Sequence, residues 1–188
     1  MHIIYGGAFN PPTIAHLEVY KFLKRKLDVR RFTYLPVSSA YTKSELVSNT
    51  HRLNMLKLMT KDYDDIDISD IEMTDDRFQG TYYSLVRLSD DTDDEVGFVI
   101  GADNVKGLSN WIMAPSLLSE FTIIILNRDD IDVQAIIDND PLLKRYKSHF
   151  KIYKAFDLDV SSTAFRITHD QTMVTDEVYN YIKDQDLY

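Results

Sequence analysis

Apolar residues along the chain fall into short runs rich in β-branched and aromatic side chains, separated by longer stretches in which they recur every three or four positions. The first pattern predicts buried strands and the second amphipathic helices. Runs at 2–7 (HIIYGG), 31–37 (RFTYLPV), 66–72 (IDISDIE), 96–102 (VGFVIGA), 121–128 (FTIIILNR) and 150–155 (FKIYKA) read as strands. Between them, 13–27, 49–61, 81–90, 110–120 and 133–146 read as helices, the first with Leu17, Tyr20, Leu23 and Leu27 at near-helical spacing. A last helix is predicted over 175–185, capped by Thr175 and turning Val178, Tyr181 and Ile182 to the core. Strands alternating with helices predict an α/β fold: a single domain over 1–188 with a doubly wound, Rossmann-like parallel sheet and helices on both faces. Ligands of such sheets bind beyond the carboxyl ends of the strands, which directs attention to the strand-to-helix junctions.

Composition narrows the chemistry. With 188 residues, 44% of them hydrophobic, the chain can bury one sizeable core. It contains no apolar run of about 18 residues, and its N-terminal MHIIYGG lacks the charged and apolar regions of a signal peptide, so a soluble, cytoplasmic protein with no membrane partner is expected. Zero cysteines exclude disulfides, a thiolate nucleophile and Cys-ligated zinc. A net charge of -9 argues against nucleic acid, whose affinity needs many Lys and Arg, but not against a small phosphorylated substrate in a locally positive pocket. The acidic stretches KDYDDIDISD and SDDTDDE show no metal-ligand pattern and read as solvated surface, so no protein metal ligand is expected. Oligomeric state is not legible, because amphipathic helices cover cores and interfaces alike.

The first strand ends in GGAFNPPTIAH, residues 6–16. Gly6 and Gly7 allow a sharp turn and a close approach of backbone to ligand, and Pro11 and Pro12 stiffen the entry into the helix. His16 would then face whatever the helix N-terminus attracts, which favours an anion such as phosphate. The stretch is neither a P-loop nor a dinucleotide fingerprint, because the Gly-Lys-Ser/Thr and Gly-x-Gly-x-x-Gly patterns are both absent. Near the other end, VSSTAFR at 160–166 offers the hydroxyls of Ser161, Ser162 and Thr163 at a helix start, with Arg166 one turn in and able to hold a phosphate.

Together these two elements resemble the signatures of the (H/T)xGH nucleotidyltransferases. Gly6, Gly7, Phe9, Pro11, Thr13 and His16 match the first, with Asn10 where aspartate is usual and Ala15 where glycine is usual, and VSSTAFR is similar to the ISSTxIR element. The middle of the chain resembles one family within that group, the bacterial nicotinate-nucleotide adenylyltransferases. PVSSAYTK and SNTHRLNM have the spacing of its PxxxPPHK and SxxxR segments, with Pro36, Lys43 and Arg52 in register, while Ala40, Tyr41 and Thr42 depart from Pro-Pro-His. IGADNVKGLSNW at 100–111 is similar to GADxxxxLxxW, TYYSLVRL at 81–88 is a weaker likeness, and MVTDEVYNYIKDQDLY resembles the family's ending. Between Arg166 and Met173 the chain has only ITHDQT, shorter and less basic than the family's usual connection, with His169 as a partial substitute.

The resemblance implies transfer of AMP from ATP to nicotinate mononucleotide, with Mg2+ bound mainly through the ATP phosphates. It implies His16, Thr13 and Arg166 as catalytic residues. Gly6, Gly7, Phe9, His16, Gly101, Asp103, Ser162 and Arg166 would bind ATP, and Lys43, Thr81 and Trp111 the pyridine mononucleotide. A related transferase using nicotinamide mononucleotide or another phosphorylated acceptor, and a non-catalytic nucleotide-binding relative, remain open at this point.

Overall fold

A computed structural model describes residues 1–39, 46–75, 77–90, 92–127, 131–154 and 160–188. Six strands, β1 (His2–Gly7), β2 (Arg31–Pro36), β3 (Ile66–Ile68), β4 (Val96–Gly101), β5 (Thr122–Asn127) and β6 (Phe150–Lys154), form one sheet in the order β3-β2-β1-β4-β5-β6. β1 runs parallel to β4 with Ile3 opposite Gly97, and β4 parallel to β5 with Val99 opposite Ile124. The order reverses direction at β1 and β4, the switch point at which doubly wound sheets bind their ligands. The expected α/β class is therefore the observed one.

Helices surround the sheet: α1 (Ile14–Lys26), α2 (Asn49–Thr60), α3 (Ile71–Thr74), α4 (Thr81–Ser89), α5 (Ala114–Glu120), α6 (Val133–Asn139), α7 (Pro141–Arg145), α8 (Ser162–Thr168) and α9 (Asp176–Asp184). None is long and apolar enough to cross a membrane. Three differ from the sequence pattern for local reasons. The run at 66–72 is a three-residue strand followed by α3, since Asp70 ends the extended chain and occupies the N-cap of that helix. The segment 110–120 starts its α-helix only at Ala114, after a 3-10 stretch (Ala102–Asn110) and Met113 in the left-handed region at φ 58. The segment 133–146 splits at Asp140-Pro141: the Asp140 carboxylate accepts from the N–H groups of Leu142 and Leu143, and proline cannot continue the preceding helix.

The chain clusters into two compact units. Residues 1–6 and 79–157 pack Ile3, Ile4, Val99, Leu108, Leu117 and Ile123–Ile125 out of water. Residues 7–78 and 158–188 bury Leu23, Phe32, Tyr34, Met55, Leu56, Phe165 and Val178. In the latter, α9 packs on α2 as its pattern predicts. Val178 and Ile182 are buried, and the half-buried Tyr181 hydroxyl accepts from Asn54 Nδ2 at 3.0 Å and lies 2.9 Å from His51 Nδ1.

Candidate active site

In the unit formed by 7–78 and 158–188, the turn after β1 is built around one aromatic ring. Phe9 takes φ 49, a left-handed conformation that costs a bulky residue about 1–2 kcal/mol. Its side chain, 1% exposed, folds back so that a Cβ on Gly7 would lie 3.0 Å from the ring. Phe9 also stands edge-on to His16, with ring centroids 5.1 Å apart, and to Tyr34 at 5.4 Å. The space beside Gly7 is thus filled by a protein ring, and the Phe9 side chain is part of the core. The other unit treats Gly6 similarly, since a Cβ there would lie 3.0 Å from the Phe98 ring on β4.

His16, in the first turn of α1, is fixed from several sides. The Thr13 N–H donates to its Nδ1 at 2.9 Å, and the Thr13 hydroxyl lies 2.8 Å from the same nitrogen. A backbone N–H can only donate, so Nδ1 is the acceptor and the neutral ring carries its proton on Nε2. The Tyr34 hydroxyl holds the His16 backbone by donating to its carbonyl at 2.9 Å. Thr13 is 1% exposed, and both polar atoms facing the ring serve His16. Both of these polar atoms of Thr13 are thus engaged by His16, which fixes the ring.

The carbonyls of the turn are taken one after another by donors from elsewhere in the unit. Gly7 O accepts from the Val37 N–H at 3.0 Å, Ala8 O from Arg52 Nη1 at 2.8 Å, Asn10 O from Arg166 Nη1 at 2.6 Å, and Pro11 O from Ser162 Oγ at 2.7 Å. The Asn10-Pro11 peptide is cis. Because N–H and C=O point opposite ways across a trans peptide, inward carbonyls at Gly7 and Ala8 aim the N–H groups of Ala8 and Phe9 the other way. Arg166 sits on α8, one turn after the Ser161 cap, and a second nitrogen, Nη2, donates to Thr163 Oγ1 at 3.3 Å. Ser162 and Arg166 are thus brought to the turn that carries His16, with polar atoms engaged by its backbone.

Two contacts here have no signal in the local sequence. Arg52 on α2 is fully buried, where a helix arginine reads as exposed unless its register with the SxxxR pattern is followed. Burial holds its pKa below the usual arginine value. Tyr188 reaches Asn10 from 178 positions away to donate its hydroxyl to Oδ1 at 2.7 Å, a contact with no local signal.

In the unit formed by 1–6 and 79–157, Gly101 ends β4 and Asp103 begins the 3-10 stretch. The Asp103 carboxylate folds over Gly101 so closely that a Cβ there would meet Oδ1 at 2.4 Å. Gly101 has φ -73, which any residue adopts, so what a Cβ there would disturb is this contact and not the backbone angle. Asp103 is otherwise exposed. Half-buried Trp111 stands edge-on to Phe98 at 6.3 Å, the ring that covers Gly6. Thr81, half-buried at the start of α4, follows Gly80, whose φ is 107 and whose added Cβ would lie 2.7 Å from Ile112. That contact gathers Thr81 and Trp111 into one region. Lys43 lies outside the described residues.

Fold and side chains together define an α/β protein of the nucleotide-handling, doubly wound class. Residues 4–167 match the cytidylyltransferase-like family. The chain is 33% identical over 191 residues to a protein of Acholeplasma laidlawii named "Probable nicotinate-nucleotide adenylyltransferase", covering 100% of this chain and 97% of that one. It is 26% identical over 193 residues to a protein of the same name from Carboxydothermus hydrogenoformans, covering 98% and 96%. The chain belongs to the cytidylyltransferase-like family and, within it, to the nicotinate-nucleotide adenylyltransferases. In fold it is similar to Plasmodium falciparum nicotinic acid mononucleotide adenylyltransferase solved in complex with NaAD, with a TM-score of 0.79 at 19% identity over 100% of this chain and 96% of that one.

Proposed function

We propose that this chain transfers the adenylyl group of ATP to nicotinate mononucleotide, giving nicotinate adenine dinucleotide and pyrophosphate. A phosphate oxygen of the mononucleotide attacks the α-phosphorus of ATP, the bond from that phosphorus to the bridging oxygen of the β-phosphate breaks, and pyrophosphate leaves with the electron pair. The nucleophile is already an anion, so no serine, cysteine or general base is needed. The protein has to align the reactants and stabilise charge on the transferring and leaving phosphates.

The observation that carries the reading is the Thr13–His16 pair. Because Nδ1 accepts from Thr13, the neutral ring offers Nε2–H as a donor for the α-phosphate, with no reorganisation at the moment of reaction. Support comes from the chain's family and from the names of its relatives. In this reading Ser162 and Arg166 meet the β- and γ-phosphates, and the backbone at Gly7 and Phe9 lies against the nucleotide. Gly6 gives passage to that backbone, while Gly101 and Asp103 receive the ribose. Lys43, Thr81 and Trp111 hold the pyridine mononucleotide.

Among the described residues, no three His, Asp or Glu side chains converge as a metal cage. In this reading Mg2+ would be held chiefly by triphosphate oxygens and water. Mg2+ would supply neutralisation of the leaving pyrophosphate. A single catalytic domain working in the cytoplasm is part of the proposal.

The test is pyrophosphate release from ATP and Mg2+ with nicotinate mononucleotide, nicotinamide mononucleotide or phosphopantetheine as acceptor. Release strongest with nicotinate mononucleotide is expected. Release with none of them contradicts enzymatic transfer, and release favouring another acceptor corrects the substrate.

A further inference from the structure

We propose that Asn10 sets the affinity of this site for the triphosphate of ATP: its neutral side chain leaves the guanidinium groups of Arg52 and Arg166 without a carboxylate partner among the described residues, so the turn that carries His16 keeps a positive field. The inference rests on the proposed adenylyl transfer.

Asn10 is 2% exposed, bonded directly to Arg166 and linked to Arg52 through Val47. Its carbonyl accepts from Arg166 Nη1 at 2.6 Å, and its Oδ1 accepts from the Val47 N–H at 3.2 Å and from the Tyr188 hydroxyl at 2.7 Å. Two positions back, Ala8 O accepts from Arg52 Nη1, whose guanidinium also donates to Val47 O at 3.3 Å and Asn49 Oδ1 at 2.7 Å. All of these acceptors are neutral, as is Thr163 Oγ1 on Arg166. Among the described residues neither guanidinium forms an ion pair. Hydrogen bonds to carbonyls satisfy the N–H groups but leave the charge in place, and a fully buried cation without a counter-ion is costly to keep. Tyr188 does not supply the missing anion. Burial pushes its phenol far above the usual value against the pull of Arg166 and Arg52, so the hydroxyl stays a neutral donor. In a chain of net charge -9, the buried guanidinium of Arg52 and the half-buried one of Arg166 make a local positive island, and the natural counter-ion for it is a ligand anion.

An aspartate at position 10 has nearly the same size and can accept the same two hydrogen bonds, but cancels one of the two charges. The test measures binding of inorganic tripolyphosphate and of adenosine to the whole protein by calorimetry, with no turnover required, for wild type, Asn10→Asp and Asn10→Ser. Tripolyphosphate is expected to bind Asn10→Asp roughly tenfold more weakly than wild type, with a shallower dependence on salt. Adenosine should bind all three alike, and the neutral Asn10→Ser should lose clearly less tripolyphosphate affinity than Asn10→Asp. Equal tripolyphosphate affinity in wild type and Asn10→Asp, or equal loss in both variants, overturns the proposal. A wild type that binds tripolyphosphate with the expected charge dependence but releases no pyrophosphate with any acceptor would sink adenylyl transfer and leave the role of Asn10 standing.

Discussion

The 7–13 turn and the 101–113 segment each leave the carboxyl end of a strand, and they are held by opposite means. Along 7–13, carbonyl after carbonyl is taken by a donor from a distant part of its unit: Val37, Arg52, Arg166, Ser162. Along 101–113 the fixing is done by close contact, with Gly101 under the Asp103 carboxylate, Gly80 against Ile112, and Phe98 against Trp111. Polar anchoring orients dipoles, and here it requires a buried cation. Contact packing sets a shape and tolerates exposure: Ile112 is 50% and Met113 41% exposed. The contrast suits the proposed division of labour. Phosphates in transfer need dipoles fixed in advance, whereas a pyridine ring and a ribose need a shaped surface with a few polar groups.

The largest effect on stability is expected where the first segment is most dependent on one residue. Arg52→Ala empties a fully buried side-chain site, leaves Ala8 O and Val47 O without their Arg52 donor and leaves Asn49 Oδ1 with only the Ser39 N–H, and should cost about 3 kcal/mol in urea unfolding. An unchanged midpoint would mean that the turn does not depend on polar anchoring.

In the second segment, Gly101→Ala should act through contact alone. The backbone accepts alanine, so stability should fall by less than about 1 kcal/mol, while displacement of the Asp103 carboxylate raises the KM for ATP roughly tenfold. Paired with Asp103→Ala, the glycine substitution should add almost nothing further to KM. Additive losses would show that Gly101 serves something other than Asp103.

The smallest of these effects belongs to Thr13→Val, which removes the hydroxyl but keeps the N–H that donates to His16 Nδ1. A fall in kcat of about three- to tenfold with KM nearly constant is expected, since one hydrogen bond of the pair survives. A rise in the KM for ATP at constant kcat would instead place the Thr13 hydroxyl on substrate.

The same contrast explains what could be read from the chain beforehand. The strands over 96–101 and 122–127 are continuous apolar runs and were legible to within a residue, as were α1 and α9, whose spacing and caps are local. Breaks set by a single residue were harder: Asp140 caps one helix where the period alone continues another, and Met113 turns left-handed before α5. At the site, Gly-Gly, Thr-x-x-His and Ser-Ser-Thr announce themselves because their geometry lies within one turn of chain. The Tyr188–Asn10 bond and the burial of Arg52 depend on segments far apart in sequence, and no periodicity encodes them. The placement of the Phe9 ring was not legible for a related reason: its φ of 49 turns it inward over Gly7, and no pattern in the sequence encodes that angle.

The central claim is that His16, set by Thr13, stabilises the transferring phosphate. Steady-state pyrophosphate release by His16→Ala, with ATP, Mg2+ and nicotinate mononucleotide, tests it most directly. A kcat lowered by about 100- to 1000-fold with wild-type thermal unfolding is predicted, and a kcat within a few-fold of wild type would remove His16 from the chemistry.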